Sequence, residues 1–231
     1  MKVLYEDNHL LVVEKLPNVP VQADESGDMD LLSMGKAYIK DKYQKPGAVY
    51  LGLVHRLDRP VGGIIVFART SKAARRLAED MQKKRWTKQY LAVTVGDPPD
   101  AMELEDDMVR DPKTHSSCIA KAGDPNAKYA HLGFSCLQRY EGLNLLRIDL
   151  DTGRHHQIRV QLASRSWFIW GDARYNPTSK AGQQIALWAY RLTILHPTTR
   201  EPLAWINIPP CSEPWIRFDR TKIDEVHNDS R

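Results

Sequence analysis

His55, Arg56 and Asp58 form a charged cluster between two apolar runs of the sequence, residues 49–54 and 64–67. Apolar runs of this length predict buried strands, and Pro60 with Gly62-Gly63 predicts a tight connection between them. In an extended chain Arg56 and Asp58 would project to the same side. A carboxylate so placed could act as a nucleophile or a general base, or could form a structural ion pair. Spacing alone favours the ion pair.

A second polar cluster lies within residues 152–163, which contain Arg154, His155, His156, Gln157 and Arg159. The apolar residues four apart in this segment predict a helix from about 155 to 163, opened by Thr-Gly-Arg. Its polar side chains suit phosphate, ribose or base edges, and a capped surface helix is the alternative. Adjacent histidines diverge by roughly 100° on a helix, and no His-Glu-x-x-His pattern is present. We therefore expect no metal site here.

Residues 69–88 hold eight basic residues against two acids. Such a concentrated basic face suits a polyanion, although a solvated surface would look the same. Trp86 lies inside this stretch and is the tryptophan whose context suggests base stacking. The basic residues are Arg69, Lys72, Arg75, Arg76, Lys83, Lys84, Arg85 and Lys88.

Composition narrows the class of protein. The chain has 231 residues, 42% hydrophobic and 27% charged, with a formal net charge of +4, as expected for a globular protein of one or two domains. It has no apolar run of the ~20 residues that would span a bilayer, no visible secretion signal and three widely spaced cysteines. We expect a cytoplasmic monomer. No dinucleotide fingerprint, phosphate loop or Gly-x-Ser-x-Gly elbow occurs, so no nucleotide cofactor is expected.

The order of elements predicts an α+β fold: a mixed, mainly antiparallel central sheet flanked by helices and loops. Helices are expected after an Asp30 cap and a Ser71 cap, and residues 89–95 are expected to form a half-buried strand. Residues 97–130 are expected to be loops with short strands, mobile without RNA. We assign residues 1–217 to one domain and residues 218–231 to a polar, frayed tail. The remaining predicted strands cover 9–14, 64–68, 132–139, 144–150, 185–195 and 202–206.

Five motifs follow one another along the chain: His55-Arg-Leu-Asp58, Lys88-Gln-Tyr-Leu-Ala-Val-Thr-Val-Gly96, Thr152-Gly-Arg-His-His-Gln-Ile-Arg-Val160, Gly171-Asp-Ala-Arg-Tyr175 and Leu187-Trp-Ala-Tyr-Arg-Leu-Thr-Ile-Leu-His-Pro197. Together these segments resemble the catalytic domain of the RluA family of RNA pseudouridine synthases, whose motifs have the same order. The resemblance runs from Tyr5 to the His-Pro-Thr-Thr that ends at Thr199.

The resemblance implies that the protein isomerises uridine to pseudouridine in rRNA or tRNA without a cofactor or metal. Asp58 falls on the catalytic aspartate, as nucleophile or base, and Tyr90 on the aromatic residue that stacks on the target base. Arg159 falls on the residue that pairs with the aspartate, and Arg56 on the arginine that fills the gap left by the flipped uridine. Further RNA contacts are expected from His55, Arg154, His156, Gln157, Lys72, Arg75, Arg76, Lys83, Lys84, Arg85 and Lys88.

The chain departs from the pattern of the family at two motifs. Many relatives have Thr-Ser-Gly where this chain has Pro60-Val-Gly-Gly63, and Arg-x-His where it has Arg159-Val-Gln161. We also expect no small N-terminal RNA-binding domain, because the first strand begins within five residues. The alternatives are a non-catalytic RNA-binding or ribosome-assembly factor on the same scaffold, and an unrelated hydrolase with Asp58 as nucleophile.

Overall fold

The computed structural model describes residues 1–225, whose contacts divide the chain into two compact units. Unit 1 consists of Met1–Lys88 and Ala189–Asn207, and unit 2 of Gln89–Trp188 and the chain from Ile208 onwards. Sheet strands dominate both units and helices are few, which confirms the predicted α+β class. The assignment of residues 1–217 to one domain stays a prediction. No helix within residues 1–225 is long and apolar enough to cross a membrane.

Unit 1 contains sheet strands with one helix packed on each face. Its strands follow the order β1-β2-β4-β10, with β3 beside β4 and β11 beside β10. The pairings β1–β2, β2–β4, β3–β4 and β10–β11 are antiparallel. The elements are β1 (Lys2–Glu6), β2 (Leu10–Lys15), α1 (Leu31–Lys42), β3 (Gly52–Leu53), β4 (Gly62–Ala68), α2 (Ser71–Gln82), β10 (Leu187–Leu195) and β11 (Pro202–Ile206).

The two faces of β2 and β4 explain why both strands are continuously apolar. Leu10 and Val12 pack on the same side as Leu77 of α2, in a core cluster that also contains residues of β10. Leu11 and Val13 pack with Ile39 of α1 on the opposite side. A strand buried on both faces needs apolar residues at every position, so the predicted strands 9–14 and 64–68 are confirmed.

Two local predictions in unit 1 were wrong. The run 49–54 is not a long buried strand, because only Gly52 and Leu53 pair with β4, and β10 occupies the remainder of that edge. The residue that caps α2 is Thr70, whose side chain accepts from the backbone N–H of Ala73, and Ser71 is the first helical residue. The Asp30 cap of α1 is confirmed, since Asp30 accepts from the N–H of Ser33.

Unit 2 contains the antiparallel strand order β5-β9-β8-β6-β7. The predicted hairpin is present: β8 and β9 are joined by Glu141 and Gly142, both at positive φ. The elements are β5 (Thr87–Val95), β6 (Ala101–Asp111), β7 (Ser116–Ile119), β8 (Lys128–Tyr140), β9 (Leu143–Leu150), α3 (Gln157–Ala163), a 3₁₀ turn (Trp215–Arg217) and α4 (Arg220–Glu225).

The prediction of loops with short strands over residues 97–130 was wrong for residues 101–111, which form one long strand. β6 is an eleven-residue strand that pairs with β8 over eight residue pairs and with β7 on its other edge. Leu104 and Met108 of β6 are buried, whereas Glu103 and Glu105 are exposed. This is a strand with one buried face, whose charged outer face and flanking prolines give it the composition of a loop.

The expectations for β5 and for the C-terminal segment also need correction. Residues 89–94 are buried throughout, so β5 is covered on both faces and not half-buried. Residues 218–225 are not a frayed tail, because Phe218 and Ile223 are buried and α4 forms there. The remainder of the predicted tail, residues 226–231, lies outside the described residues.

Candidate active site

Asp58 lies in unit 1, in an irregular segment between β3 and β4. The N–H of Val61 donates to the carbonyl oxygen of Asp58 at 3.0 Å, which closes a turn over residues 58–61. Leu57 is buried beneath this turn, Asp58 is half-buried and Arg56 is exposed. Residues 54–61 are not in a strand, so the expected strand parity of Arg56 and Asp58 does not apply. The turn nevertheless leaves the Asp58 carboxylate partly accessible beside an exposed arginine.

Lys15, at the end of β2, holds this turn in place by hydrogen bonds to its backbone. Its side chain is fully buried, and its Nζ donates to the carbonyl oxygens of Leu16 (3.2 Å), Arg59 (2.7 Å) and Val61 (2.6 Å). Three acceptors match the three N–H groups of an ammonium ion. Burial lowers the pKa of Lys15 to about 7, and the charge of Asp58 acts in the opposite direction. Lys15 thus places a titratable charge under the backbone that carries Asp58.

Lys15 was not among the predicted site residues. The available signal was a lysine at the end of the apolar run Leu10–Val13, where a charged side chain is rarely buried unless it has partners. Gly63 also acquires a role, because a Cβ at this position would lie 2.3 Å from the carbonyl oxygen of Ala189. The glycine in the unusual Pro60-Val-Gly-Gly63 segment therefore permits close backbone approach in unit 1.

Trp86 is a core residue of unit 1, and the half-buried His55 packs against it. The N–H of Val66 donates to Nε2 of His55 at 3.0 Å, and the two aromatic rings meet edge-on with centroids 5.2 Å apart. Burial, together with the charge of Lys88, lowers the pKa of His55 to about 3, so this histidine is neutral at physiological pH. Trp86 is 6% exposed. Trp86 belongs to the core cluster that contains Leu77, so the expectation that it stacks on a base was wrong. His55 supplies no positive charge to RNA.

The predicted basic residues of unit 1 divide into two groups. Lys72, Lys83 and Lys84 are exposed, whereas the arginines contact neighbouring residues of the protein. Arg75 lies 3.8 Å from Glu79, Arg76 donates to the carbonyl oxygen of Pro197 at 2.7 Å, and Arg85 pairs with Asp80 at 3.1 Å. Lys88, in β5, is half-buried. Residues 72–85 therefore form a charged surface, part of which is ordered by acids.

Tyr90 lies in unit 2, at the start of the buried part of β5, where it pairs with Ile148 of β9. It is 9% exposed. Strand pairing on β9 fixes its backbone, and the neighbouring positions Gln89 and Leu91 are also buried. A tyrosine on a rigid strand suits the role of a stacking floor, which remains a prediction.

Gln157 holds together the segment that precedes α3. Its Oε1 accepts from the hydroxyl of Thr152 (2.7 Å) and from the N–H of Arg154 (3.0 Å). Its Nε2 donates to the carbonyl oxygen of His131 and to Oε1 of Gln161, both at 3.0 Å. A side-chain amide has two donors and two acceptor positions, so all four are used within the protein. The expected RNA contact from Gln157 was therefore wrong, and this residue is structural.

The two histidines of the segment stack on each other, with ring centroids 3.7 Å apart. Nδ1 of His155 is 2.9 Å from the hydroxyl of Ser117, and Nδ1 of His156 is 2.8 Å from the hydroxyl of Tyr175. His156 has a φ of 56° and α3 begins one residue later, so the predicted helix is two residues shorter at its start. Arg154 is exposed, and its Nε donates to the carbonyl oxygen of Tyr129. Arg154 keeps the placement expected of an RNA contact.

Arg159 is buried in unit 2 and forms a two-point salt bridge with Asp172. Its Nε and Nη2 donate to the two carboxylate oxygens at 2.8 and 2.7 Å. Its guanidinium lies 5.1 Å from the ring centroid of Tyr175, and burial is the main cause of the raised pKa of that tyrosine. The Gly171–Tyr175 motif was recognisable in the sequence, but the contact by which Asp172 orients Arg159 was not. A buried arginine held at two points is rigid, as an electrostatic role requires.

No group of three or more His, Cys, Asp or Glu side chains within residues 1–225 could hold a metal ion. The site residues fall in both units: His55, Arg56 and Asp58 in unit 1, and Tyr90 and Arg159 in unit 2.

Comparisons with known proteins agree with the motifs. The sequence model of the family described as RNA pseudouridylate synthase matches residues 9–164, more than half of the chain. The chain is 29% identical over 224 residues to the ribosomal large subunit pseudouridine synthase D of Pasteurella multocida, covering 89% of this chain and 66% of that protein. It is 30% identical over 202 residues to an uncharacterized RNA pseudouridine synthase of Bacillus subtilis, covering 87% and 66%.

A third relative, the ribosomal large subunit pseudouridine synthase D of Nitrosomonas europaea, is 31% identical over 218 residues, with 89% of this chain and 61% of that protein covered. The chain thus spans slightly less than two thirds of the length of these relatives. Among solved structures, human RNA pseudouridylate synthase domain containing 4 superposes with a TM-score of 0.77 at 21% identity, over 98% of this chain and 92% of that one. At this identity the structural likeness establishes the fold alone.

Proposed function

Because the chain belongs to the RNA pseudouridylate synthase family, we propose that it isomerises a uridine of structured RNA to pseudouridine. The observation that carries the proposal is the Asp58 turn. Asp58 is half-buried on a turn whose backbone carbonyl oxygens accept hydrogen bonds from Lys15, and an exposed arginine precedes it. This segment lies within the part of the chain that the family model matches.

The proposed reaction breaks the bond between N1 of uracil and C1′ of ribose and forms a bond between C5 and C1′. C5 loses its proton to solvent and N1 gains one, so the product has the same atoms as the substrate. No redox change and no external group is involved, and the proposal includes no cofactor. A uracil in folded RNA must leave its stack before this bond can be reached.

Each site residue has a role in this proposal. Asp58 attacks as a nucleophile or removes a ribose proton. Tyr90 stacks on the flipped uracil, and Arg159 balances the charge of the reacting carboxylate. Arg56 is exposed and fills the vacated position in the RNA, for which a flat cation is well suited.

The names of two of the reported relatives refer to the large ribosomal subunit. Large-subunit rRNA is therefore the first RNA to test, with small-subunit rRNA and tRNA as the other candidates. We further propose that the protein acts as a monomer in the cytoplasm. Bacteria such as the sources of the three relatives make these RNAs in that compartment.

The experiment that tests the function uses purified protein and three unmodified transcripts: large-subunit rRNA, small-subunit rRNA and a tRNA pool. Pseudouridine is mapped by carbodiimide labelling and primer extension. We expect a discrete pseudouridine in one RNA class. Binding to all three without any new pseudouridine would favour the non-catalytic alternative, and strand cleavage would favour a hydrolase.

A further inference from the structure

An open polar pocket lies in unit 1 between the end of α2 and the turn that joins β10 to β11. Its volume is about 380 Å³, and no apolar side chain lines it. We call it the arginine pocket. Four cationic side chains and two carboxylates, Glu79 and Asp80, line it and give it a net charge of +2. The four cations are Arg76, Lys83, Arg85 and Arg200. This lining suits an anionic ligand and provides no apolar contact for a hydrophobic one.

Asp80 holds two of these arginines in place. Its side chain is 4% exposed, and its carboxylate receives Nη1 and Nη2 of Arg200 at 2.7 and 2.9 Å and Nη1 of Arg85 at 3.1 Å. Arg200 and Arg85 themselves are 41% and 47% exposed. The buried acid therefore fixes the inner edge of each guanidinium while the outer edge faces solvent. Guanidinium groups oriented in this way lose little entropy when they bind a second anion.

The backbone on both sides of the pocket is fixed as well. At the end of α2, the N–H of Arg85 donates to the carbonyl oxygen of Asp80 and the N–H of Lys84 to that of Met81. With Lys84 at a φ of 53°, this is a Schellman motif. It satisfies helix carbonyls that would otherwise present negative charge to the pocket, and it directs Arg85 inward.

His196 fixes the opposite side. Its Nδ1 accepts from the N–H groups of Thr198 and Thr199, and its Nε2 is 2.9 Å from the carboxylate of Asp7. An Nδ1 that accepts assigns the proton to Nε2, which then donates to Asp7. The turn that carries Arg200 is thereby attached to the first strands of the unit.

We propose that the arginine pocket binds a backbone phosphate of the RNA substrate, with Arg85 and Arg200 as oriented donors and Lys83 as an additional charge. The proposal rests on the proposed function. It adds two residues to the predicted basic face: Arg200, which lies 115 positions beyond Arg85 in the chain, and Asp80, which is a positioning residue. Arg is well matched to phosphate because its planar fork presents two N–H groups to two oxygens.

Asp80→Asn separates an oriented site from a diffuse positive surface. The substitution removes a negative charge, so a diffuse surface would bind RNA more tightly. An oriented site would bind more weakly, by about tenfold, because Arg85 and Arg200 lose their common partner. Asp41→Asn is the matched control, since Asp41 is exposed on α1 and the change in net charge is the same. The measurement is the Kd for a large-subunit rRNA transcript by filter binding at 50 and 200 mM KCl.

A higher Kd (weaker RNA binding) for Asp80→Asn than for Asp41→Asn supports the proposal. An equal or lower Kd overturns it. Thermal unfolding of each variant checks folding. If Asp80→Asn does not fold, Arg200→Ala and Arg200→Lys decide the matter. Arg200→Ala should weaken binding by about tenfold and reduce the salt dependence by about one phosphate contact. Arg200→Lys should fall between it and the wild type, and wild-type affinity in Arg200→Ala overturns the proposal.

Isomerisation by the wild-type protein is measured on the same transcript. A wild type that makes no pseudouridine in any RNA refutes the proposed function. An active wild type whose Arg200 and Asp80 variants bind normally refutes only the pocket.

Discussion

Substitution of Gly63 by alanine tests how strictly the backbone beside the Asp58 turn is defined. Gly63 has a φ of +120°, and an added Cβ would lie 2.3, 2.6 and 2.8 Å from the O, N and C atoms of Ala189. All three are backbone atoms, so no side-chain rotation can relieve the contact. The two strands would have to separate by about 1 Å to restore ordinary contact distances.

The magnitude follows from two separate costs. Forcing an L residue into positive φ costs about 1–3 kcal/mol, and overpacking in a buried site adds about 1–3 kcal/mol. We expect Gly63→Ala to lower the free energy of unfolding by about 4 kcal/mol. Loss of pseudouridine formation should accompany the loss of stability, because residues 58–61 lead directly into β4.

Two matched substitutions separate these costs. Gly142→Ala has a positive φ of 76° but nothing within 4 Å of the new Cβ, so it should cost about 1–2 kcal/mol. Gly47→Ala has neither feature and should change stability by less than about 0.5 kcal/mol. Urea unfolding of the three variants is the measurement. A Gly63→Ala variant no less stable than Gly142→Ala would refute the close approach.

The remaining predictions concern buried polar groups and one aromatic residue. Lys15 has a folded-state pKa of about 7 against 10.5 when unfolded. Between these pH values the unfolded chain therefore binds more protons than the folded chain. As the pH rises above 7, the free energy of unfolding of the wild type should increase, relative to that of Lys15→Met, by up to about 1.4 kcal/mol per pH unit. A difference between the two proteins that does not change with pH would contradict the low pKa. Asp172→Asn removes a partner of a buried arginine and should lower the free energy of unfolding, measured in urea, by about 3 kcal/mol. Asp100→Asn changes an exposed ion pair and should lower it by less than about 1 kcal/mol. Equal losses in the two variants would refute the difference in burial. Gln157→Glu loses both donors to buried acceptors and should cost about 2 kcal/mol, and a variant as stable as the wild type would show that the amide is not fully used. Trp86→Phe should be less stable but bind RNA with unchanged Kd, since Trp86 is buried, and a weaker Kd in the folded variant would restore it as a stacking residue.

The sequence predicted those elements whose local pattern has one interpretation. Unbroken apolar residues identify β2 and β4, and Glu141-Gly142 between two apolar runs identifies the β8–β9 hairpin. β6 was missed because its exposed face carries Glu103 and Glu105, which in a single sequence look like loop residues. Its partner β8 begins more than fifteen residues later in the chain, so no local signal reports the pairing.

The limits at the site have a related cause. Polar residues that can contact RNA are chemically the same residues that satisfy buried groups, and only the fold decides which they do. Gln157 and His55 have the composition of an RNA surface but bind their own backbone. Lys15 contacts the Asp58 turn and Asp172 contacts Arg159, yet these contacts join segments that lie up to 46 residues apart in the chain. Motif order, in contrast, was sufficient to identify the family.

RNA tritiated at C5 of uracil gives a direct readout of the reaction assigned to Asp58. Joining C5 to ribose releases this tritium to water, so release reports isomerisation itself. We expect release with the wild-type protein and none with Asp58→Asn or Asp58→Ala, while filter binding of the same RNA is retained in both variants. Release by either variant at a rate near that of the wild type would contradict the assignment of Asp58 as the reacting group.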